Sequence, residues 1–396
     1  MPDAGFDGLT VEELRRRGGL KWSLFPEAIG SFVAEMDFGT APAVTQALHA
    51  AVDGGAFGYL PPALLAGMSE AYAAWSRDRY GWAVPPERVR PLADVLAGMA
   101  AAVEHFSRPG SPVILPTPAY MPFLTLPAVL GREVIEVPMA RDGDRYGYDL
   151  DALDAAYRAG GHLLVLCNPH NPIGRVLEPA EMTAVAEVVD RHGGRVFSDE
   201  IHAPLVFPGS RHVPYASLDD VTAGHAVTAT SASKAWNLPG LKCAQLVLSN
   251  SADAEVWSRV GLHAEHGAST LGVVANTAAY TGGAGWLDDV LGYLDGNRRL
   301  LAELVAEHLP GVGYTPPEGT YLAWLDCREL GLAEPRRQER TRRRASRTRK
   351  ARTMDDRRIE EIAVDDLDAV AGGEHTDCFP DSFDLVKSIK ATHQPE

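Results

Sequence analysis

The sequence predicts an α/β fold: a mostly parallel sheet wrapped by helices, with a second, smaller lobe. Three observations carry that prediction. Upstream of Ala333, short apolar runs of β type alternate with longer stretches of helical periodicity, the pattern that crossover helices and parallel strands produce. The chain has 396 residues, 45% apolar and 23% charged, which suffices for a large core and excludes wholesale disorder, collagen-like repetition and coiled coil. Polar groups collect just after the apolar runs, where open α/β sheets bind their ligands.

Taken in order, SPVILP at 111–116 and HLLVLCNP at 162–169 predict buried strands, and GRVFSDE at 194–200 predicts a third that ends in acid. NPHNP after one strand and DEIH after the next should therefore face one crevice. PAEMTAVAEVVDRHGG at 179–194 has apolar residues at helical spacing and a closing Gly pair, so it predicts a crossover helix. The stretch from 285 to 309 repeats Leu and Val every three or four residues and predicts a long helix linking lobes. PEGTYLAWLDCREL at 317–330 predicts an alternating strand, with Tyr321, Ala323 and Leu325 opposite Leu322 and Trp324.

Composition narrows the function. No apolar run is long enough for a membrane span and the first thirty residues lack an export pattern. The four cysteines, Cys167, Cys243, Cys327 and Cys378, are too scattered for a zinc knuckle or a disulfide framework, which suits a reducing cytoplasm. No metal site is expected. Net charge is -16, unfavourable for nucleic acid and anionic membrane. One segment reverses it: from Pro335 to Arg358 half the residues are Lys or Arg and apolar periodicity stops.

Four segments carry chemistry together: GYLPP around Tyr59, PAYMPF around Tyr120, NPHNPIG at 168–174, and SDEIHAPLVF followed by SASKAWNLPGLK ending at Lys242. Alone, a Lys is a solvated charge, an Asp at a strand end caps a helix, and a Tyr packs in a core. In this order they resemble fold-type I enzymes dependent on pyridoxal 5'-phosphate, and among them the MalY/PatB-type cystathionine β-lyases, relatives of class I/II aminotransferases. The resemblance runs from Gly18 to Leu330, about four fifths of the chain, and includes KW at 21, VAEMDF at 33–38, AYTGGAGWLD at 279–288 and EGTYLAWLDCR.

The resemblance implies roles that the cofactor's chemistry requires. Lys234 would tether the aldehyde as a Schiff base and, once released by substrate, take the Cα proton. Asp199 would keep the ring nitrogen protonated, and Asn171 would donate to the phenolic oxygen. His202 matches a position close to the cofactor, although a structural histidine fits equally well. Ser231, Ser233 and Lys242, with backbone amides around Ala97, Gly98 and Met99, would cradle the phosphate. Tyr120 would stack on the ring. Tyr59 would reach the phosphate of a neighbouring subunit, which implies a homodimer with composite sites. The implied reaction is α,β-elimination of an S-substituted cysteine, a small amino-acid substrate, to thiol, pyruvate and ammonia. Transamination shares the first carbanion and stays open, but KW, VAEMDF and SDEIHAP lie closer to the lyases.

The implied domains are an N-terminal arm with part of the small domain (1–45), a large cofactor domain (46–290), a partial small domain (291–334), a basic linker (335–353) and a tail (354–396). In the family the small lobe continues to an Arg that grips the substrate's α-carboxylate, and no Arg of the basic run sits in a comparable apolar, strand-like setting. The tail opens with MDDRRIEEIAVDDLDAVAGG, which resembles the leader of a ribosomally made, modified peptide, with Glu374–Glu396 as core peptide; a charged helix with a glycine cap is the plain alternative. A disrupted reading frame, a functional fusion that makes the tail a peptide partner, and a nucleic-acid arm are three accounts. The last ranks lowest, since no aromatic residue is interleaved with the basic ones.

Overall fold

The computed structural model describes residues 6–331; the basic run, the leader-like stretch and Cys378 lie outside them. The described chain forms one large unit, residues 6–26, 30–309 and 313–325, and belongs to a second at 27–29, 310–312 and 326–331. In the second, Arg328–Leu330 makes a single 3-10 turn and Arg328 folds back onto Asp326 at 2.6 Å.

The large unit opens with α1 (Val11–Arg17), N-capped by Thr10, and α2 (Leu20–Ser23), which carries the KW pair. Next come α3 (Pro42–Asp53) and α4 (Pro62–Tyr80), each started by a proline, which costs nothing where first-turn N–H groups lack helical partners. The alternation of strand and helix then begins: β1 (Val89–Leu92), α5 (Val95–His105), β2 (Val113–Thr117), α6 (Met121–Val129) and β3 (Val134–Pro138). A small hairpin of β4 (Ala140–Asp142) and β5 (Arg145–Gly147) leads to α7 (Leu150–Arg158), β6 (Leu163–Cys167), α8 (Pro179–Arg191) and β7 (Arg195–Asp199). After α9 (Asp220–His225) come β8 (Ala226–Thr230) and β9 (Ala244–Leu248), then α10 (Ser251–Val260), α11 (Leu262–Glu265), α12 (Thr270–Gly282) and α13 (Ala284–His308). The long helix runs through residue 290 without a break.

Seven strands form one sheet in the order β3-β2-β6-β7-β8-β9-β1. It is parallel from β3 to β8, and β9 is antiparallel to both of its neighbours. Every residue of β6, β8 and β9 is buried, because helices cover both faces; this explains why β6 is a continuous apolar run and not an alternating one, while β8 and β9 bury Thr228, Thr230 and Gln245 as well. Chain order reverses between β2 and β6, so the crevice beyond their carboxyl ends is where a ligand belongs. Register brings Cys167, Asp199 and Ala229 side by side at that edge.

The strand predicted at 317–330 does not form; only Leu325–Asp326 is extended there. The backbone donors are spent on the NPHNPIG loop instead. Glu318 N and Gly319 N both donate to the Gly174 carbonyl (2.8 and 2.9 Å), Thr320 N donates to Leu205 (2.7 Å), and a Glu318 carboxylate oxygen accepts the Val176 N–H (2.8 Å). Gly174 makes this docking possible: its φ is +70°, and a Cβ there would lie 2.3 Å from Pro317 Cβ. Gly174→Ala should destabilise the protein by about 1–3 kcal/mol in denaturant unfolding; an unchanged midpoint would show that the loop and the 317–320 segment move together to absorb a methyl.

Candidate active site

Asp199 ends β7 with its side chain 5% exposed. Its Oδ1 accepts the Ile201 N–H at 3.1 Å, whereas the nearest donor to Oδ2 among the described residues is the Cys167 thiol, 4.0 Å away. One carboxylate oxygen is thus held and the other has only a weak neighbour. Burial pushes the carboxyl up to about 7 against the pull of the Ile201 N–H; the Glu200 charge adds to the rise and Lys234 opposes it. Burial also lowers the Lys234 amine, with Glu35 and then Asp199 holding it back. Acid and amine therefore face one another across a poorly solvated space, each carrying less charge than it would in water.

Lys234 lies in the turn after β8, built by the Trp236 N–H to Ala232 and the Leu238 N–H to Ser233. Its Nζ donates to the Ala34 carbonyl at 2.9 Å, and the Tyr321 hydroxyl donates to the same oxygen at 3.0 Å. His202 is 2% exposed, its ring lies edge-on to Tyr321 at 6.3 Å, and its Nδ1 has no hydrogen-bond partner. Burial, aided by Lys234, pushes it down to about 3, so it is neutral. Tyr120 precedes α6, packs edge-on to Phe123 at 5.4 Å and is 39% exposed. Burial raises its phenol, and both Asp199 and Asp94 are near enough to push it further.

At that start, Asp94 is the N-cap. Its Oδ1 accepts the Ala97 N–H at 2.9 Å and its carbonyl accepts the Gly98 N–H at 3.3 Å. The first-turn donors not engaged by the cap are consequently those of Val95 and Leu96, just before the Ala97 to Met99 amides expected from sequence. Gly98 and Met99 serve packing: Met99 is fully buried, and a Cβ on Gly98 would sit 3.1 Å from Ala229. Lys242, at φ +49°, pairs its Nζ with Asp94 Oδ2 at 3.0 Å. Ser231 donates its single proton to the Cys243 carbonyl at 2.6 Å and accepts the Ser233 N–H at 3.0 Å, so it holds the turn, while Ser233 is the more accessible hydroxyl.

Two candidates remain: Asn171, whose backbone reaches the Cys167 thiol beside Asp199, and Tyr59. Asn171 sits in the NPHNPIG loop, which Asn168 closes by accepting the Leu177 N–H at 3.0 Å. Tyr59 is wholly exposed on the loop between α3 and α4, near Thr270, whose hydroxyl donates to the Gly58 carbonyl. Within one chain Tyr59 does not join the other residues. Sequence reasoning overlooked the Asp94 cap, although Asp three residues before Ala97 is its signature. It also gave no role to the Cys167 thiol, and a backbone acceptor such as Ala34 leaves no sequence signal at all.

The donor set fits pyridoxal phosphate: a half-buried amine, a buried acid with one weakly engaged oxygen, an aromatic face, and a hydroxyl, an ammonium and helix-start amides at the far end. The chain belongs to the aminotransferase class I and II family, which it matches over residues 33–354. Within it, the chain is 40% identical to a cystathionine β-lyase of Corynebacterium glutamicum, over 80% of this chain and 83% of that one. It is also similar to two solved structures. One is a Corynebacterium diphtheriae protein assigned as a pyridoxal-phosphate-dependent β-cystathionase, 41% identical with a TM-score of 0.77, covering 81% of this chain and 83% of that one. The other is the pyridoxal-phosphate-bound C–S lyase of Staphylococcus hominis, 29% identical with a TM-score of 0.72, covering 80% and 81%.

Because the folded Asp199 carboxyl is raised from its ordinary value to about 7, the native chain holds a proton that the unfolded chain releases near pH 4. Its contribution to stability is complete below that lower value and is lost as pH rises through about 7. In the cofactor-free protein, Asp199→Asn should therefore gain stability relative to wild type between about pH 5 and about pH 8 in urea unfolding. A constant difference would mean that Asp199 ionises normally.

Proposed function

We propose that the chain is a pyridoxal-phosphate-dependent carbon–sulfur β-lyase that converts an S-substituted cysteine and water to a thiol, pyruvate and ammonia in a reducing cytoplasm, with residues 46–290 as its cofactor domain. The observation that carries this reading is the facing pair of Lys234 and Asp199, each buried enough to shift toward its neutral form, at the carboxyl edge of the sheet. The 40% identity to a cystathionine β-lyase favours elimination over transamination.

When bound, pyridoxal phosphate supplies an electron sink for a carbanion at the substrate's Cα. The protein's own groups do the rest. Lys234 Nζ accepts the Cα proton, and burial, by lowering its basicity, favours the neutral amine that can do so. Asp199 Oδ2 would hold the ring nitrogen in its protonated form, while the Ile201 N–H engages the other carboxylate oxygen. Asn171 would donate to the phenolic oxygen, Tyr120 would stack on the ring, and neutral His202 would lie close by without adding charge. Ser233, Lys242 and the Val95 and Leu96 amides would receive the phosphate, with Lys242 offsetting the nearby Asp94. Ser231 braces that end through Cys243.

The exposed Phe57–Tyr59 loop is best explained by a second copy of the chain: a fully exposed tyrosine beside a 70% exposed phenylalanine is an apolar patch seeking cover. Tyr59 then completes the partner's phosphate site.

Purified protein with added pyridoxal phosphate should absorb in the visible, and Lys234→Ala should abolish the band and lower pyruvate release from cystathionine by about 10³-fold. Amino transfer to a keto acid without pyruvate release would instead identify an aminotransferase. Mixing Lys234→Ala with Tyr59→Ala chains under re-pairing conditions should restore about a quarter of wild-type turnover, since half the dimers carry one intact site. Sedimentation as a monomer would remove the composite site.

A further inference from the structure

The KW pair and the VAEMDF segment take no part in the chemistry above, yet the fold joins them in one clamp. Lys21, with its side chain 8% exposed, donates to the Glu35 carbonyl at 2.7 Å and pairs with Asp37 at 2.9 Å. Trp22 Nε1 donates to the same Asp37 oxygen at 2.8 Å. The return of the chain is close, since a Cβ on Gly30 would lie 2.4 Å from the Lys21 carbonyl. From the other side Asn237 accepts the Met36 N–H at 3.0 Å and donates to the Met36 carbonyl at 2.8 Å. Residues 35–37 are thus gripped on both sides. The carbonyl just before them, Ala34, is the one that receives Lys234 Nζ and the Tyr321 hydroxyl.

We propose that Lys21 and Trp22 are positioning residues, which clamp residues 35–37 so that the Ala34 carbonyl remains the resting acceptor of the Lys234 amine whenever that amine is not covalently engaged. A poorly solvated ammonium needs an acceptor to replace water, and a carbonyl held at hydrogen-bond distance stabilises the protonated form. The groups facing Lys234 are Asp199 at the end of β7, His202 just beyond it, Glu35 beside Ala34, and Tyr321 through the shared carbonyl. Lys21 and Asp37 stand behind that segment as a pair of opposite sign. The two possible roles of Lys21 therefore predict opposite effects. As a nearby cation it disfavours the protonated Lys234, so its removal would raise Lys234's basicity; as a clamp it secures the acceptor, so its removal lowers it.

The inference rests on Lys234 being the reactive amine of the site, but its test needs no cofactor. Full-length chain freed of cofactor is labelled with acetic anhydride across a pH series, and Lys234 acetylation is read by peptide mass spectrometry. Lys21→Met should move the Lys234 labelling midpoint down by about one pH unit, and Trp22→Phe should move it the same way by less. A midpoint that rises or stays in place in Lys21→Met overturns the clamp. Should Lys21→Met lose its native circular dichroism, Trp22→Phe decides by the same criterion. Wild-type protein that stays colourless with added pyridoxal phosphate would defeat the cofactor reading while leaving the labelling result standing.

Discussion

A carboxyl group at the end of a buried strand is costly to ionise unless a proton or a cation meets it. Asp199 is in that position, with one oxygen held by Ile201 and the other facing a space shared with the Lys234 amine. The surrounding architecture keeps this pair in place. Ladder bonds from β6 and β8 hold the strand itself. One residue on, Glu200 is almost fully buried and locked by Ser198 (2.9 Å), His212 (3.1 Å) and the Tyr215 N–H (2.9 Å), so the chain cannot swivel at the strand's end. Such fixity matters because a carboxylate that could turn toward water would lose both its raised proton affinity and its aim.

The amine is constrained by different means. The turn that carries Lys234 is pinned at Ser231 to the Cys243 carbonyl and at Ala232 to Asn276, whose amide also bonds Gln245. Its far end is met by a segment from the N-terminal arm, two hundred residues away in sequence. Acid and base thus come from neighbouring strands of one sheet, whereas the acceptor that holds the base comes from a separate part of the chain. This division lets each group's proton affinity depend on a different set of contacts.

At the start of α5 the structure uses charge economically. Asp94 spends one oxygen on capping α5 and the other on Lys242, so the cation is already oriented before any anion arrives. The consequence is that the first-turn N–H groups left outside the cap are those of Val95 and Leu96, with Gly98 reserved for the close approach of helix and sheet.

Much of this was legible in the residues themselves. The strands at 113–117, 163–167 and 195–199 and the helices at 179–191 and 284–308 follow from apolar period and flanking Gly and Pro, because local sterics and burial of one face act over a few neighbours. Motif order singled out Lys234 and Asp199 as candidates. What the alternating pattern at 317–330 could not disclose is that its backbone donors would find the Gly174 and Leu205 carbonyls before any strand partner, since that competition is settled by loops distant in sequence. The same holds for Ser231, whose proton is claimed by a neighbouring carbonyl, and for Ala34, a backbone oxygen with no side-chain signature. Local period decides which segments become strand or helix; only the packed fold decides which donor meets which acceptor, because those distances exist only once the chain has closed on itself.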